Sequence, residues 1–450
     1  MIGQDRILSS IERALASCKA DAAEAVLVAG TSATTRYAGS AIHQNMVVEK
    51  TTVSFRVALG TRIGTASCTS LGLAELKRTL RAATEIARRQ KPNHAFDGFT
   101  PPSDCPVPDT RDARTAAVTP KQRAAKLKRV IARGDRYSLS MAGAVSTSES
   151  ETAVVATTGL SRYQAATSAS LSVIATGDDS SGYAAAVSRS WADLDASAVA
   201  RRAIAKCRAS RSPKDLAPGA FEVVLEPAAV AEIMYWLSFT AFGSKMYEDG
   251  SSFLAGRIGE RVMGENVTIV DDALDPGCPG LAFDFEGTPR RRVELIDRGV
   301  ARGIVHNRQS ARRAGSASTG HALPPAMAAE GSLPLNLHLE AGSEPIDRLI
   351  AGVENGLLVT RFHYLNGLLE PRRALMTGMT RDGLLRIRKG RITGGVKNLR
   401  FTDSMLDVFS RVTGIGSERT AVIVEGDAAT AMYLPALRVA RLTFTGKTEF

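Results

Sequence analysis

At 450 residues the chain exceeds what one hydrophobic core fills, since cores stop growing beyond roughly 250–300 residues, so two domains are expected. Hydrophobic residues at 44% and charged residues at 23% exclude a disordered chain, and no apolar run approaches the ~18 residues of a membrane span. A net charge of +11 could draw polyanions, but Lys and Arg fall in short clusters (Lys121 to Arg133, Arg290 to Arg292, Arg312-Arg313, Arg386 to Arg391) without interleaved aromatics, which are 5% of the chain. These clusters read as solvated faces, and nucleic acid is disfavoured as a partner.

The opening residues lack a basic stretch followed by an apolar one, so a cytoplasmic location is expected. Residues 5–18 place Ile7, Leu8, Ile11 and Leu15 at helical spacing. Ala25 to Val28 reads as a short strand. Thr52 to Leu59 alternates Val53, Phe55, Val57 and Leu59, and Gly60-Thr61 turns it into Arg62-Ile63-Gly64 as a hairpin. Leu71 to Arg89 puts Leu73, Leu76, Leu80, Ala83 and Ile86 on one helical face. Lys91 to Asp109, with five prolines, is a long connection; Thr119-Pro120 then supplies a cap and a first-turn proline for a basic helix to about Arg133.

Tyr137 to Ser190 is rich in Ser, Thr, Ala and Val and reads as antiparallel strands; Trp191 to Ser210 returns to a helix with Val199, Ala203 and Cys207 inward. Arg211 to Gly219 breaks all periodicity, which sets the boundary between an N-terminal domain (1–215) and a C-terminal one (216–450). A strand, Phe221 to Leu225, leads through Pro227 into a helix, Ala228 to Phe242. Further strands are expected at Ile346 to Arg361, Ala374 to Thr380, Gly383 to Ile387 and Leu437 to Phe444, with a short helix near Ser404 to Val412. No repeat of fixed period is visible. The order implies α+β: N-terminal helices with antiparallel strands, then a domain dominated by β-sheet.

Hydrolytic zinc needs two or three clustered imidazoles, carboxylates or thiolates with an open position for water. The six histidines, His43, His94, His306, His321, His338 and His363, are all isolated, and no two of Cys18, Cys68, Cys105, Cys207 and Cys278 sit at C-x-x-C spacing; they read as reduced thiols. Asp284 and Glu286, two apart, would share a strand face as a carboxylate pair, though a carboxylate ordering a turn at Gly287 is the stronger reading. Asp271-Asp272 reads as a strand-end turn, Ser318 to His321 as a structural loop and His363 as a strand histidine. A divergent metal site would have to draw on His306, His321, His363, Asp284 and Glu286. No nucleophile elbow, Walker loop or dinucleotide fingerprint occurs, which disfavours serine hydrolase, NTPase and dinucleotide chemistry.

Taken together and in order, Ser251 to Gly259, Val267 to Asp272, Phe283 to Gly287 and Ala317 to His321 resemble the C-terminal half of the TldD/PmbA (TldE) family, and Arg62 to Ser67 is also family-like. Phe362-His363-Tyr364 and Thr377 to Gly383 look like a subgroup variant of its C-terminal strands. The resemblance implies zinc-dependent proteolysis of cytosolic peptides by a complex whose TldD-type subunit carries His-Glu-x-x-x-His on a helix and a cysteine near its C-terminus. The matching helix here, Pro227 to Trp236, has Glu232 and no histidine; the matching segment, Val424 to Pro435, has no cysteine. The resemblance therefore implies a TldE/PmbA-like subunit with no catalytic, cofactor-binding or metal residues of its own, partnered by a TldD-type chain that holds the zinc and acting on unfolded or small peptides. A free-standing peptide- or polyanion-binding protein and a divergent metallopeptidase with a non-standard site are the alternatives.

Overall fold

The computed structural model describes residues 1–426 and 428–448. The chain opens with α1 (Gln4–Leu15), β1 (Ala22–Ala38), β2 (Ala41–Leu59), β3 (Arg62–Cys68) and α2 (Leu73–Arg89). A short α3 (Ala113–Ala116) succeeds the proline-rich connection, and then come α4 (Pro120–Asp135), β4 (Ser140–Ala156), β5 (Ser161–Thr176), β6 (Ser181–Ser188) and α5 (Ala196–Ala209). The strands form one antiparallel sheet in the order β3-β2-β1-β4-β5-β6. Helix, three-strand meander, helix thus occurs twice, and the two units join where β1 pairs with β4. No periodicity in the sequence announced this repeat.

Side-chain alternation assigns the two faces of the sheet. Odd-numbered residues such as Ala25, Leu27, Ala153 and Val155 pack under α1 and α2, and Met141, Val145, Leu171 and Val173 pack under α4 and α5. Even-numbered Val26, Val154 and Ala156 turn the other way, onto Phe99, Ala282 and Phe283. The helices sit close because the last strand of each meander carries a glycine beneath one: a Cβ on Gly64 would stand 2.0 Å from the Ala83 carbonyl oxygen, and one on Gly182 2.2 Å from that of Ala203.

The second half contains β7 (Gly219–Leu225), α6 (Pro227–Thr240), α7 (Ser244–Glu248), β8 (Ile269–Asp271), β9 (Val293–Asp297), β10 (Val300–Ala301), α8 (Arg308–Arg313), β11 (Leu337–Leu339) and α9 (Ile346–Ala351). It ends with β12 (Asn355–Glu370), β13 (Leu375–Arg388), β14 (Arg391–Gly395), β15 (Leu399–Ser404), α10 (Met405–Ser410), β16 (Val412–Ile415), β17 (Thr420–Val422), β18 (Met432–Leu434) and β19 (Leu437–Lys447). One sheet runs β10-β9-β8-β11-β18-β17; the other runs β12-β7-β19-β15-β13-β14, and a further β12–β13 ladder closes β12, β7, β19, β15 and β13 into a ring. The larger core of this half, from Val223 and Leu225 through Phe362, Phe401 and Phe444, includes the buried face of α6 and residues of both sheets.

The α+β class holds, and among the described residues the strands form three sheets. Several boundaries change. Ala25 to Val28 is part of a 17-residue strand whose buried run is Ala23 to Leu27, and the strand continues through Thr and Ser residues that give no apolar alternation to read. Ile346 to Ala351 is helical instead of extended: Ile346, Leu349 and Ile350 stand three and four apart and pack on one apolar cluster, after Pro345 at the cap. The segments Ala374 to Thr380 and Gly383 to Ile387 are one strand, β13, carried through Asp382 and Gly383 at positive φ. All five cysteines are free thiols. Among the described residues no helix is long and apolar enough to cross a membrane.

Candidate functional site

Helix α6 starts at Pro227, whose fixed φ and missing N–H suit a first turn, and buries Val230, Ala231, Ile233, Met234 and Leu237. The half-buried residues left on it, Glu232, Tyr235, Trp236 and Phe239, recur at three and four apart and so form one stripe. Tyr235 packs edge-on to Trp236 and Phe239, with centroids 5.9 and 5.2 Å apart. Trp236 lies directly on β12, where a Cβ at Gly367 would be 2.7 Å from its own. Burial raises the Glu232 carboxyl above the usual range, opposed by the Arg361 charge. Arg361 in turn sits 4.3 Å over the Tyr183 ring and donates to Asp382 (Nε–Oδ2, 2.8 Å). The Tyr235 hydroxyl donates to Glu425 at 2.7 Å, tying α6 to the segment Val424 to Pro435, of which Asp427 lies outside the described residues.

Two of the family-like stretches, Val267 to Asp272 and Ala317 to His321, meet at Asp271. Its Oδ1 receives the Arg290 guanidinium and His321 Nε2 (2.8 Å), and its Oδ2 accepts the Asn336 N–H at 2.8 Å. Burial alone would raise this carboxyl, yet the Arg290 charge and these donors hold it well below the ordinary range. Burial and the Arg290 charge lower the pKa of His321, against the opposing pull of Asp271. Asp284 Oδ1 accepts from the N–H groups of Glu286 and Thr288 (both 2.9 Å) and Oδ2 from that of Ala322 (2.8 Å), bracketing Gly287 at φ 73°. Burial and the neighbouring Glu286 push Asp284 up to about 7. Glu286 reaches across to the N-terminal sheet: Arg56 of β2 bridges it (3.3 Å) to Glu24 of β1 (2.8 Å), and the Arg308 N–H donates to its other oxygen at 3.0 Å.

The residues considered for a divergent metal site are therefore dispersed among different partners. His306 faces Ser310 at 3.1 Å, His321 faces Asp271, and His363 stacks on Tyr364 in β12 with centroids 4.3 Å apart. Asp284 and Glu286 lie in a turn and do not share a strand face. Among the described residues no group of three or more His, Cys, Asp or Glu is placed to hold a metal ion. Two readings need correction. Asp271 is the buried hub of an ionic network, more than a strand-end turn, and Arg290, assigned to a solvated cluster, is 7% exposed. Glu24, Arg56 and Asn336 carried no local signal, because their side-chain partners come from 32 to 230 residues away along the chain.

Comparison with known proteins bears on what this arrangement is. The family profile of the PmbA/TldA metallopeptidase C-terminal domain matches residues 218–446, that of the central domain residues 112–211 and that of domain 1 residues 23–87. The protein is of the metallopeptidase-like class built from a six-stranded sheet and a ring-closed β domain. The chain belongs to the PmbA/TldD family. Metalloprotease PmbA of Escherichia coli O157:H7 is 28% identical over 336 residues, covering 68% of this chain and 71% of that one. A metalloprotease of Methanothermobacter thermautotrophicus is 25% identical over 221 residues, covering 48% of this chain and 46% of that one, so the match spans about half of that relative. TldE from Thermococcus kodakarensis has the same fold, with a TM-score of 0.86 at 18% identity over 98% of this chain and 99% of that one.

The zinc that the family implies does not fit the residues of α6. With Glu232 in the place of the motif glutamate, the histidine places fall on Ala231 and Trp236. A buried methyl group offers no lone pair, and an indole N–H is a donor only. Glu232 remains as a single carboxylate among aromatic rings, and one carboxylate does not make a zinc site.

Proposed function

We propose that this chain is the non-catalytic, TldE/PmbA-like subunit of a zinc metalloprotease complex, pairing with a TldD-type chain whose zinc hydrolyses unfolded or small peptides. The observation that carries the reading is the donor set of α6: Ala231 and Trp236 flank Glu232, and Val424 to Pro435 lacks a cysteine. In this reading the chain is cytoplasmic and divides near residue 215 into an N-terminal and a C-terminal domain. Its aromatic stripe on α6 serves as a wall of the substrate chamber instead of a catalytic surface. Exposed strand edges offer an extended peptide backbone hydrogen bonds without demanding sequence. The test is peptidase activity of the chain alone, of a TldD-type chain alone and of the two mixed. The reading expects hydrolysis only when the TldD-type chain is present; hydrolysis by this chain alone sinks it.

A further inference from the structure

The basic excess of the chain is concentrated on one face. Helices α4 and α5 share a core on the N-terminal sheet, where Leu127 and Val130 lie with Val199, Ala203 and Cys207. Together the two helices carry ten Lys and Arg against one acid, Asp135, and so account for nine of the eleven net positive charges. In the sequence these residues stand in two separate stretches; folding joins them. The internal repeat supplies a control, because α1 and α2 flank the first meander as α4 and α5 flank the second. There seven Lys and Arg meet four acids, and Arg78 and Arg88 pair with Glu75 and Glu85.

Four of the ten cations are engaged within the fold. Arg123 is buried and donates to Thr35, Asn45 and the Val118 carbonyl, each at 3.1 Å. Lys126 donates to the carbonyls of Trp191 and Leu194 (3.0 and 2.7 Å), Arg202 to that of Ala185 (2.8 Å), and Lys206 pairs with Glu226. The other six, Lys121, Lys128, Arg129, Arg133, Arg201 and Arg208, stand at least partly in solvent with no ion-pair partner among the described residues. The acids that precede α5 are already occupied: Asp193 accepts from Ser188 Oγ at 2.6 Å, and Asp195 from the N–H groups of Ser197 and Ala198 at 2.8 and 3.0 Å. Exposed Ala125, Ala132 and Ala205 fill outward positions between the cations, so nothing acidic or bulky screens them there.

We propose that this face binds the phosphate backbone of double-stranded DNA without reading its sequence. An array of cations neutralises phosphates and releases their counterions whatever the bases are. What the face lacks narrows the partner. A bilayer surface needs apolar side chains to bury, and among the described residues no large apolar side chain of α4 or α5 is exposed; Tyr137, just past α4, lies under the Arg208 guanidinium, 4.8 Å from its ring centroid. Interleaved aromatics, whose absence disfavours nucleic acid in the sequence, serve single strands and not a duplex. Duplex RNA is held through its 2′-hydroxyls as well as its phosphates, and alanines between the cations offer those hydroxyls no hydrogen bond. Acidic peptides are held by grooves or strand edges, whereas here the strands lie beneath the helices.

The experiment is fluorescence anisotropy of a labelled DNA duplex titrated with the full chain over a series of salt concentrations. Saturable binding is expected, equal for two unrelated sequences, with log affinity falling linearly against log salt. The triple variant Lys128→Ala, Arg129→Ala, Arg201→Ala is expected to bind about tenfold more weakly and to lower the salt slope by about 2–3, since each phosphate contact contributes about 0.9. Its melting temperature should be unchanged, because all three side chains are exposed. Removing the same charge from the counterpart helix, by Arg78→Ala, Arg81→Ala and Arg88→Ala, is expected to leave the affinity within about twofold. Failure of the unaltered chain to bind overturns the proposal. So does an equal loss in the two triple variants, which would put net charge alone at work. Tighter binding of an RNA duplex, or equal displacement of the DNA by polyglutamate at matched charge, overturns the choice of partner.

Discussion

Asp271 shows how much of this fold rests on single buried charges. Replacing it by alanine strands Arg290 and His321 in the interior, and removal of one partner from a buried pair costs about 3–5 kcal/mol. Urea unfolding of Asp271→Ala should show a loss of that size. Because its folded pKa is depressed, the stabilisation is present above the ordinary aspartate range and is lost as pH falls toward the folded value. Asp284 has the opposite sign. Its pKa rises from 3.8 to about 7, so the folded state binds the extra proton, and stability from this group declines as pH rises through that window. Asp284→Asn should flatten the urea-midpoint profile over the same window, while costing about 1–3 kcal/mol because the Ala322 N–H loses its acceptor. The Asp271 network was not legible in the sequence. Its members are 19, 50 and 65 residues away from the aspartate, and pairing through space leaves no periodic trace.

Among the elements, those that fold by a local rule were legible. Ile7, Ile11 and Leu15 mark α1 by period, and Thr119 with Pro120 marks the start of α4, where Thr119 and Gln122 form a capping box. Thr119→Ala should cost about 1 kcal/mol in thermal or urea unfolding. The long strands were half visible: Val53, Phe55 and Val57 alternate because one face is buried, whereas Ala41 to Lys50 is exposed on both faces and has no alternation to read. The two glycines beneath helices were invisible, since only the packed structure shows what lies above them. Gly182→Ala should destabilise by about 1–3 kcal/mol, because its Cβ would press on the backbone of α5 and the helix must shift. A return to the native melting temperature would show that α5 yields freely.

For the molecule as a whole, the sequence carried the class and the family-bearing loops but not the doubled helix–meander–helix unit, whose halves share a pattern of elements instead of residues. Nor did it show that Arg56 clasps the N-terminal sheet to the Glu286 turn with Glu24 behind it. The candidate site was legible as an absence, since a helix with Glu232 and no histidine can be read directly. Its positive content, the aromatic stripe braced by Gly367 and the Tyr235–Glu425 bond, needed the packed partners. The most direct measurement is metal stoichiometry of the purified chain, by native mass spectrometry with zinc supplied, together with its melting temperature before and after chelation. The account predicts no stoichiometric zinc and no change on chelation. One zinc per chain that stabilises the fold and survives dialysis would contradict it.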